Sequence, residues 1–170
     1  MSLNAKLTAY LDGHHYHYQM LTHVPTETAL ENAKVLDWPR TRVAKVVACE
    51  ADGERVLLVL PSNERIHVRS LLDNVGYSHV KLLSEDELST AFPGCEVGAQ
   101  PPFASIYGMS LIVSNHFDQN SEVIFNAGNH REAIKLPIRE LMETENPKTA
   151  EFSVDQEDYD EYRSMYYSWV

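Results

Sequence analysis

Two apolar, β-branched runs, Val43–Cys49 and Arg55–Leu60, stand on either side of an Asp52-Gly53 pair. A two-residue type I′ turn needs positive φ at both central residues, and Asp-Gly supplies it at little cost. A hairpin is therefore expected at this point of the chain. Its runs are apolar at consecutive rather than alternating positions, so both faces should be covered by other elements. This feature excludes an all-helical chain and a purely parallel sheet. A mixed α/β domain is left, with a barrel-like sheet surrounded by short helices.

The other segments supply such elements. Thr26 to about Leu36 reads as a short amphipathic helix with Ala29, Leu30 and Ala33 on one face and Thr26 as its cap. It ends before Trp38-Pro39, because a residue preceding proline resists the helical region. Ile66–Asn74 reads as a strand end and a helix closed by Gly76, and His79–Leu83 as a strand. Ser84 followed by Glu87 is a capping-box pattern, and the helix it opens must stop by Pro93. Tyr107–Ser114, Glu122–Asn126 and Ala133–Leu136 read as strands. Pro137 suits the first turn of a last helix, Ile138–Met142.

The chain has 170 residues and a net charge of −11. The length suits one domain with its own core. The charge excludes broad, sequence-independent packaging of nucleic acid, though not a local encounter with one RNA end. Much of it lies late: Glu143–Val170 carries eight acidic residues against Lys148 and Arg163. The division expected is a folded body over residues 1–143 and an acidic, tyrosine-rich tail over 144–170. The tail aromatics Tyr159, Tyr162, Tyr166, Tyr167 and Trp169 lie at roughly helical spacing, so it is either solvated or docked on the body or a second subunit. No apolar run approaches the roughly 20 residues of a membrane span, and the N-terminal stretch lacks the core of a secretory leader. Two cysteines, Cys49 and Cys95, give no bridge framework, so the expected compartment is the cytoplasm.

Three local oddities are candidates for chemistry. Lys45 stands in Val-Ala-Lys-Val-Val, where an ammonium is costly unless it meets an anion or a carbonyl. Its plain alternative is a lysine snorkelling at a sheet edge. The segment Pro93–Gly108 holds three of the seven glycines and three of the eight prolines, a composition that suits a rigid wall approached closely by a ligand. Asn126-Ala127-Gly128-Asn129-His130 follows a strand; Gly128 permits a tight turn whose N–H groups could steady an oxyanion, and His130 could bond a substrate. His14, His15, His17 and His23 lack the spacing of a metal site, and no cofactor is implied. Neither a G-x-S-x-G nor an H-E-x-x-H pattern occurs.

In register, VAKVV with VLLVLP, the segment SEDELSTAFPGCEVGAQPPF…YG and the strand-turn EVIFNAGNH resemble the YbaK/prolyl-tRNA-synthetase-associated editing domains, including the free-standing ProX-like proteins. The similarity runs from about Tyr18 to Leu141. It implies a mixed α/β fold and hydrolysis of the ester joining a wrong amino acid to the 3′ end of tRNA, with water positioned by the ribose 2′-hydroxyl. By this resemblance Lys45 engages the acceptor end, Gly98, Pro101 and Pro102 shape the acyl pocket, and Gly128 and His130 match a Gly-Ser-His turn beside it. Asn126, just before that turn, and Asn129, within it, are substrate-binding candidates. Asn129 stands where the family has serine, Ala104 where a glycine often follows Pro-Pro-Phe, and Val46 where the alanine-directed branch has asparagine. The expectation is a stand-alone aminoacyl-tRNA deacylase for a small amino acid, with the aminoacylated tRNA 3′ end as transient partner and a homodimer or synthetase contact as a further candidate. The alternative is a non-enzymatic module of the same fold that senses an aminoacyl-adenosine-like ligand or a protein partner.

Overall fold

The computed structural model describes residues 3–158. The expected hairpin is its centre. Strands β2 (Ala44–Ala51) and β3 (Glu54–Pro61) pair antiparallel from Ala51–Glu54 at the turn to Ala44–Pro61 at the far end. Asp52 (φ 50°) and Gly53 (φ 86°) make the turn, both in the left-handed region that a type I′ hairpin requires. The Asp52 carboxylate also receives the N–H groups of Ser78 and His79, which hold it below the usual carboxylate range.

A five-stranded sheet grows from this pair in the order β5-β2-β3-β6-β9, with β5 at Val80–Leu82, β6 at Ser110–Ser114 and β9 at Lys148–Ala150. β5 joins β2 antiparallel, whereas β6 joins β3, and β9 joins β6, in parallel. A second sheet, β1-β8-β7, contains Gln19–Thr22, Glu132–Pro137 and Glu122–Asn126, all antiparallel. A third pairing joins β4 (Glu64–Ile66) to β10 (Ser153–Asp155). The strands thus form three sheets rather than a closed barrel, and the mixed α/β class is as expected. A single bridge from Val43 to Ile124 links the first two sheets.

The two faces of the hairpin explain its unbroken apolar runs. Val46, Ala48, Leu57 and Val59 point to a core shared with Phe103, Val123, Phe125 and Ile134. The alternate residues Val47, Cys49, Leu58 and Leu60 enter a second core with Ile66, Leu71 and Phe152. Each strand is buried on both sides by the two-residue period.

Among the described residues, α1 (Leu3–Gly13), α4 (Glu85–Ala91) and α5 (Ile138–Glu145) pack on the first core and α3 (Val68–Val75) on the second, while α2 (Ala29–Val35) forms a third, small core with Val43, Ile124 and Ala133. The capping box at Ser84 and Glu87 is present, and Gly76 closes α3 in the left-handed region. Other expectations need correction. α2 starts at Ala29 with Thr28, not Thr26, as its cap, because the Thr26 hydroxyl donates to Asn32 instead. Leu30 is 41% exposed, and the buried face of α2 is Ala29, Asn32 and Ala33. The strand expected from Tyr107 begins at Ser110, because Ala104–Tyr107 forms a 3-10 turn ended by Gly108 at φ 66°. Pro137 caps α5 rather than entering its first turn.

The segment assigned to the tail begins as ordered structure. α5 runs to Glu145, β9 and β10 follow, and Phe152 between them is fully buried. The tail aromatics from Tyr159 onward lie outside the described residues. No helix among the described residues is long and apolar enough to cross a membrane.

Candidate functional site

β3 borders β2 along its whole length, but β5 borders it only at Cys49–Ala51. The edge of β2 from Lys45 to Ala48 is therefore not paired with another strand, and backbone groups there must be satisfied otherwise. Two bonds do part of this. The Leu83 N–H donates to the Ala48 carbonyl at 3.2 Å, and the buried Gln100 Nε2 donates to the Val46 carbonyl at 3.0 Å. A cavity of about 550 Å³ lies along this edge. Its walls include Lys45 to Ala48, Gly98 and Gln100 from the proline-rich segment, Asn126 from the end of β7, and the start of α2.

Lys45 projects from the rigid strand into this wall. Its Nζ donates to the main-chain carbonyl of Glu64 at 2.8 Å, which uses one of three ammonium donors and leaves two for a ligand. Burial, with the nearby Arg65 charge adding to it and Glu64 opposing, pulls the amine down to about 8. The side chain is half-buried at an unpaired strand edge, with its ammonium bonded to a main-chain carbonyl.

Asn126 is buried and accepts a bond from Asn32 Nδ2 at 2.9 Å, while Asn32 in turn accepts from the Thr26 hydroxyl. The chain thus links the cavity to α2 and to the segment before it. Thr26 N–H also donates to the His130 carbonyl at 3.1 Å, so this segment is laced to the turn after β7.

The proline-rich segment and the turn meet directly. Gly128 N–H donates to Ala99 O at 2.9 Å, and Glu96 N–H donates to Gly128 O at 2.8 Å. The Gly128 donor expected to face an oxyanion is therefore used to bind the two loops together. His130 Nε2 lies 3.0 Å from Val97 O, and a side chain built on Gly98 would place its Cβ 3.9 Å from the imidazole. His130 thus stands behind the cavity lip at Gly98. Asn129 turns away: its Nδ2 donates to Glu132 and its Oδ1 accepts from the Arg131 N–H. Pro101 and Pro102 are buried and do not line the cavity. Among the sequence-derived candidates, Lys45, Gly98 and Asn126 face the cavity, and Gly128 and His130 support it from behind.

Sequence reasoning missed Gln100, Asn32, Glu64 and Arg65. Gln100 sits just before Pro101 inside the segment already singled out, and Asn32 is a polar residue on the buried face of a short helix. Those are readable signals. Glu64 and Arg65 carry none, because only the tight return from β3 to β4 brings them beside Lys45. Among the described residues, no three His, Cys, Asp or Glu side chains converge as a metal site would need; His17 instead meets Glu140 at 2.6 Å.

Comparison with known proteins places this geometry. A family model described as an aminoacyl-tRNA editing domain matches residues 23–144. A hypothetical protein of solved structure superposes with a TM-score of 0.78 at 22% identity, covering 88% of this chain and 99% of its own. A candidate trans-editing enzyme for prolyl-tRNA synthetase gives a TM-score of 0.78 at 16% identity, covering 91% and 99%. A candidate signal transduction protein from Marinobacter aquaeolei gives 0.69 at 13% identity, covering 94% of this chain but 34% of its own. Among curated proteins, none matches significantly. The match spans most of the described chain, from the segment before α2 to the end of α5, and takes in Lys45, the proline-rich segment and the Asn126–His130 turn: the chain belongs to the aminoacyl-tRNA editing domain family.

Proposed function

We propose that the protein is a stand-alone deacylase that hydrolyses the ester of a tRNA mischarged with a small amino acid. The observation that carries this reading is the Lys45 ammonium, held with spare donors in the wall of a cavity of about 550 Å³ on an open strand edge. The cavity can take an acyl group together with part of the terminal ribose. The one serine among the described lining residues, Ser62, donates its hydroxyl to the Arg40 carbonyl at 2.6 Å, and Cys49 is buried in the second core, with its thiol pushed up to about 12. Positioning and charge stabilisation would then supply the rate, with Lys45 facing the acceptor end and water directed by the 2′-hydroxyl of the substrate. The acidic balance of the chain fits a brief contact with one RNA end.

One observation favours a second reading, a binding module without catalysis. The Gly128 N–H is engaged by Ala99, and His130 by Val97, so two expected catalytic groups serve the loop contact. A panel of tRNAs carrying small amino acids, incubated with wild type and Lys45→Ala, separates the two. Ester loss above the uncatalysed rate, abolished in Lys45→Ala, is the expected result. Binding of an amide-linked aminoacyl-adenosine with no ester loss on any tRNA would favour the module, as would hydrolysis that Lys45→Ala leaves intact. A homodimer or synthetase contact belongs to the same proposal and is read by mass in solution with and without the synthetase.

A further inference from the structure

β4 is three residues long and its strand partner, β10, is equally short, so backbone pairing alone holds it weakly. Yet β4 carries the carbonyl that receives Lys45. What fixes it is a cluster on the other side of the same residue. The Glu64 carboxylate accepts from Ser153 Oγ at 2.6 Å and lies 2.7 Å from His116 Nδ1. The other ring nitrogen of His116 lies 3.2 Å from Glu151, and Ser114 Oγ accepts the main-chain N–H of His116 at 3.1 Å. Glu64 is only 9% exposed, and Ser114 and Ser153 are buried. Two stretches, the turn after β6 and β10, meet on one carboxylate, and the loop before β10 reaches it through His116.

We propose that Glu64 is the positioning residue for Lys45, its side chain clamped by His116 and Ser153 so that its main-chain carbonyl aims the ammonium into the cavity. The importance of that aim rests on the functional reading above, but the positioning itself does not. Glu64 acts in two ways. Its carbonyl fixes direction, and its negative charge favours the ammonium against burial and against Arg65. The clamp also gives the segment after α5 a share in the site. Ser153 belongs to β10, and Gln156, just beyond, lines the same cavity with its N–H bonded to Asn63 O at 2.9 Å.

His116 fits the clamp role chemically. Burial alone would lower its affinity for a proton, but the bonds to Glu64 and Glu151 outweigh this and raise it above the ordinary histidine value. A protonated ring donates to both carboxylates at once. The charged groups around the two centres are Glu64 and Arg65 on β4, Glu151 before β10, and Asp155, which is paired with Asn63 and feels Arg40.

The test reads Lys45 directly, without substrate. Competitive acetylation of the full-length protein across pH, with mass-spectrometric quantification of the Lys45 peptide, gives the midpoint at which this amine becomes reactive. Glu64→Gln, near-isosteric but uncharged, should move the midpoint to lower pH, and Glu64→Asp should bring it back toward wild type. In single-turnover deacylation, Glu64→Gln should lose about tenfold in the chemical step with little change in half-saturation, an effect of loosened aim rather than of lost binding. Should Glu64→Gln fail to fold, Ser153→Ala relaxes the clamp while keeping the charge and should lower the same step by a smaller factor. An unchanged acetylation midpoint in Glu64→Gln overturns the proposal, and so does a wild-type rate in Ser153→Ala. If wild type hydrolyses no ester, the acetylation profile still decides the positioning claim, so failure of the activity and failure of this inference remain distinguishable.

Discussion

The two ends of the same hairpin behave differently. At the turn end, β5 covers Cys49–Ala51, the Asp52 N–H donates to the His79 carbonyl at 3.0 Å, and the Asp52 side chain ties down Ser78 and His79. At the far end no strand among the described residues covers Lys45–Ala48, and polar side chains take over: Gln100 on the Val46 carbonyl, Lys45 on Glu64, Asn32 on Asn126. The difference teaches where a ligand can enter a sheet that is buried on both faces. It enters at an edge where pairing stops, because only there do backbone groups and a half-buried cation face an open volume. On the proposed reading, the closed end anchors the fold and the open end is where the chemistry takes place.

That contrast can be broken by substitutions that move the wrong property. The largest expected effect is at Val56, which is fully buried on β3 opposite Cys49 at the turn end. Val56→Ala should lose about 1.5–3 kcal/mol in denaturant unfolding and lose activity only as far as the folded fraction falls. A small stability loss would mean that the paired region is not the anchor. Gly98 is next. It sits at φ +85° on the cavity lip, a conformation that costs an L residue about 1–2 kcal/mol. Gly98→Ala should cost that much stability, and the displaced lip should cut deacylation several-fold. Wild-type activity would remove the lip from the site.

The smallest and most diagnostic effect is on pH dependence. Lys45 is ionised below about 8 and neutral above it, so a reaction that needs its charge should fall as pH rises through about 8, after subtraction of spontaneous ester loss. Lys45→Arg should flatten this limb whatever its absolute rate, since a guanidinium stays charged. Stability should run the other way. Folding lowers this lysine, so between about 8 and its ordinary value of 10.5 the unfolded chain binds more protons, and its contribution to stability rises with pH. A falling contribution over that window in wild type, absent from Lys45→Met, would contradict the burial of the amine.

Much of the contrast was legible in the residues. Asp52-Gly53 between unbroken apolar runs announced the hairpin and its double burial, and a lysine inside one run announced a partner in need of finding. The capping box at Ser84 and the left-handed Gly76 were equally local signals. What escaped was non-local. β1 has only four residues and joins β8 across more than a hundred positions, while β9 and β10 are three residues each in a stretch whose acidic composition reads as solvated. Phe152 was the one hint that the chain still had a core to enter. At the site, Gly128 shows the limit of motif reading: a glycine turn advertises free donors, but its N–H is spent on Ala99, which the sequence could not place beside it.

The central claim, that the ligand sits on the open end of the hairpin, is tested most directly by mapping backbone amide shifts on titration with an amide-linked aminoacyl-adenosine. The expected map centres on Lys45, Val46, Gly98, Gln100 and Asn126, with Asp52, Gly53 and His79 unmoved. Perturbations confined to the turn end, or scattered evenly over the sheet with none at Lys45 and Val46, would contradict it.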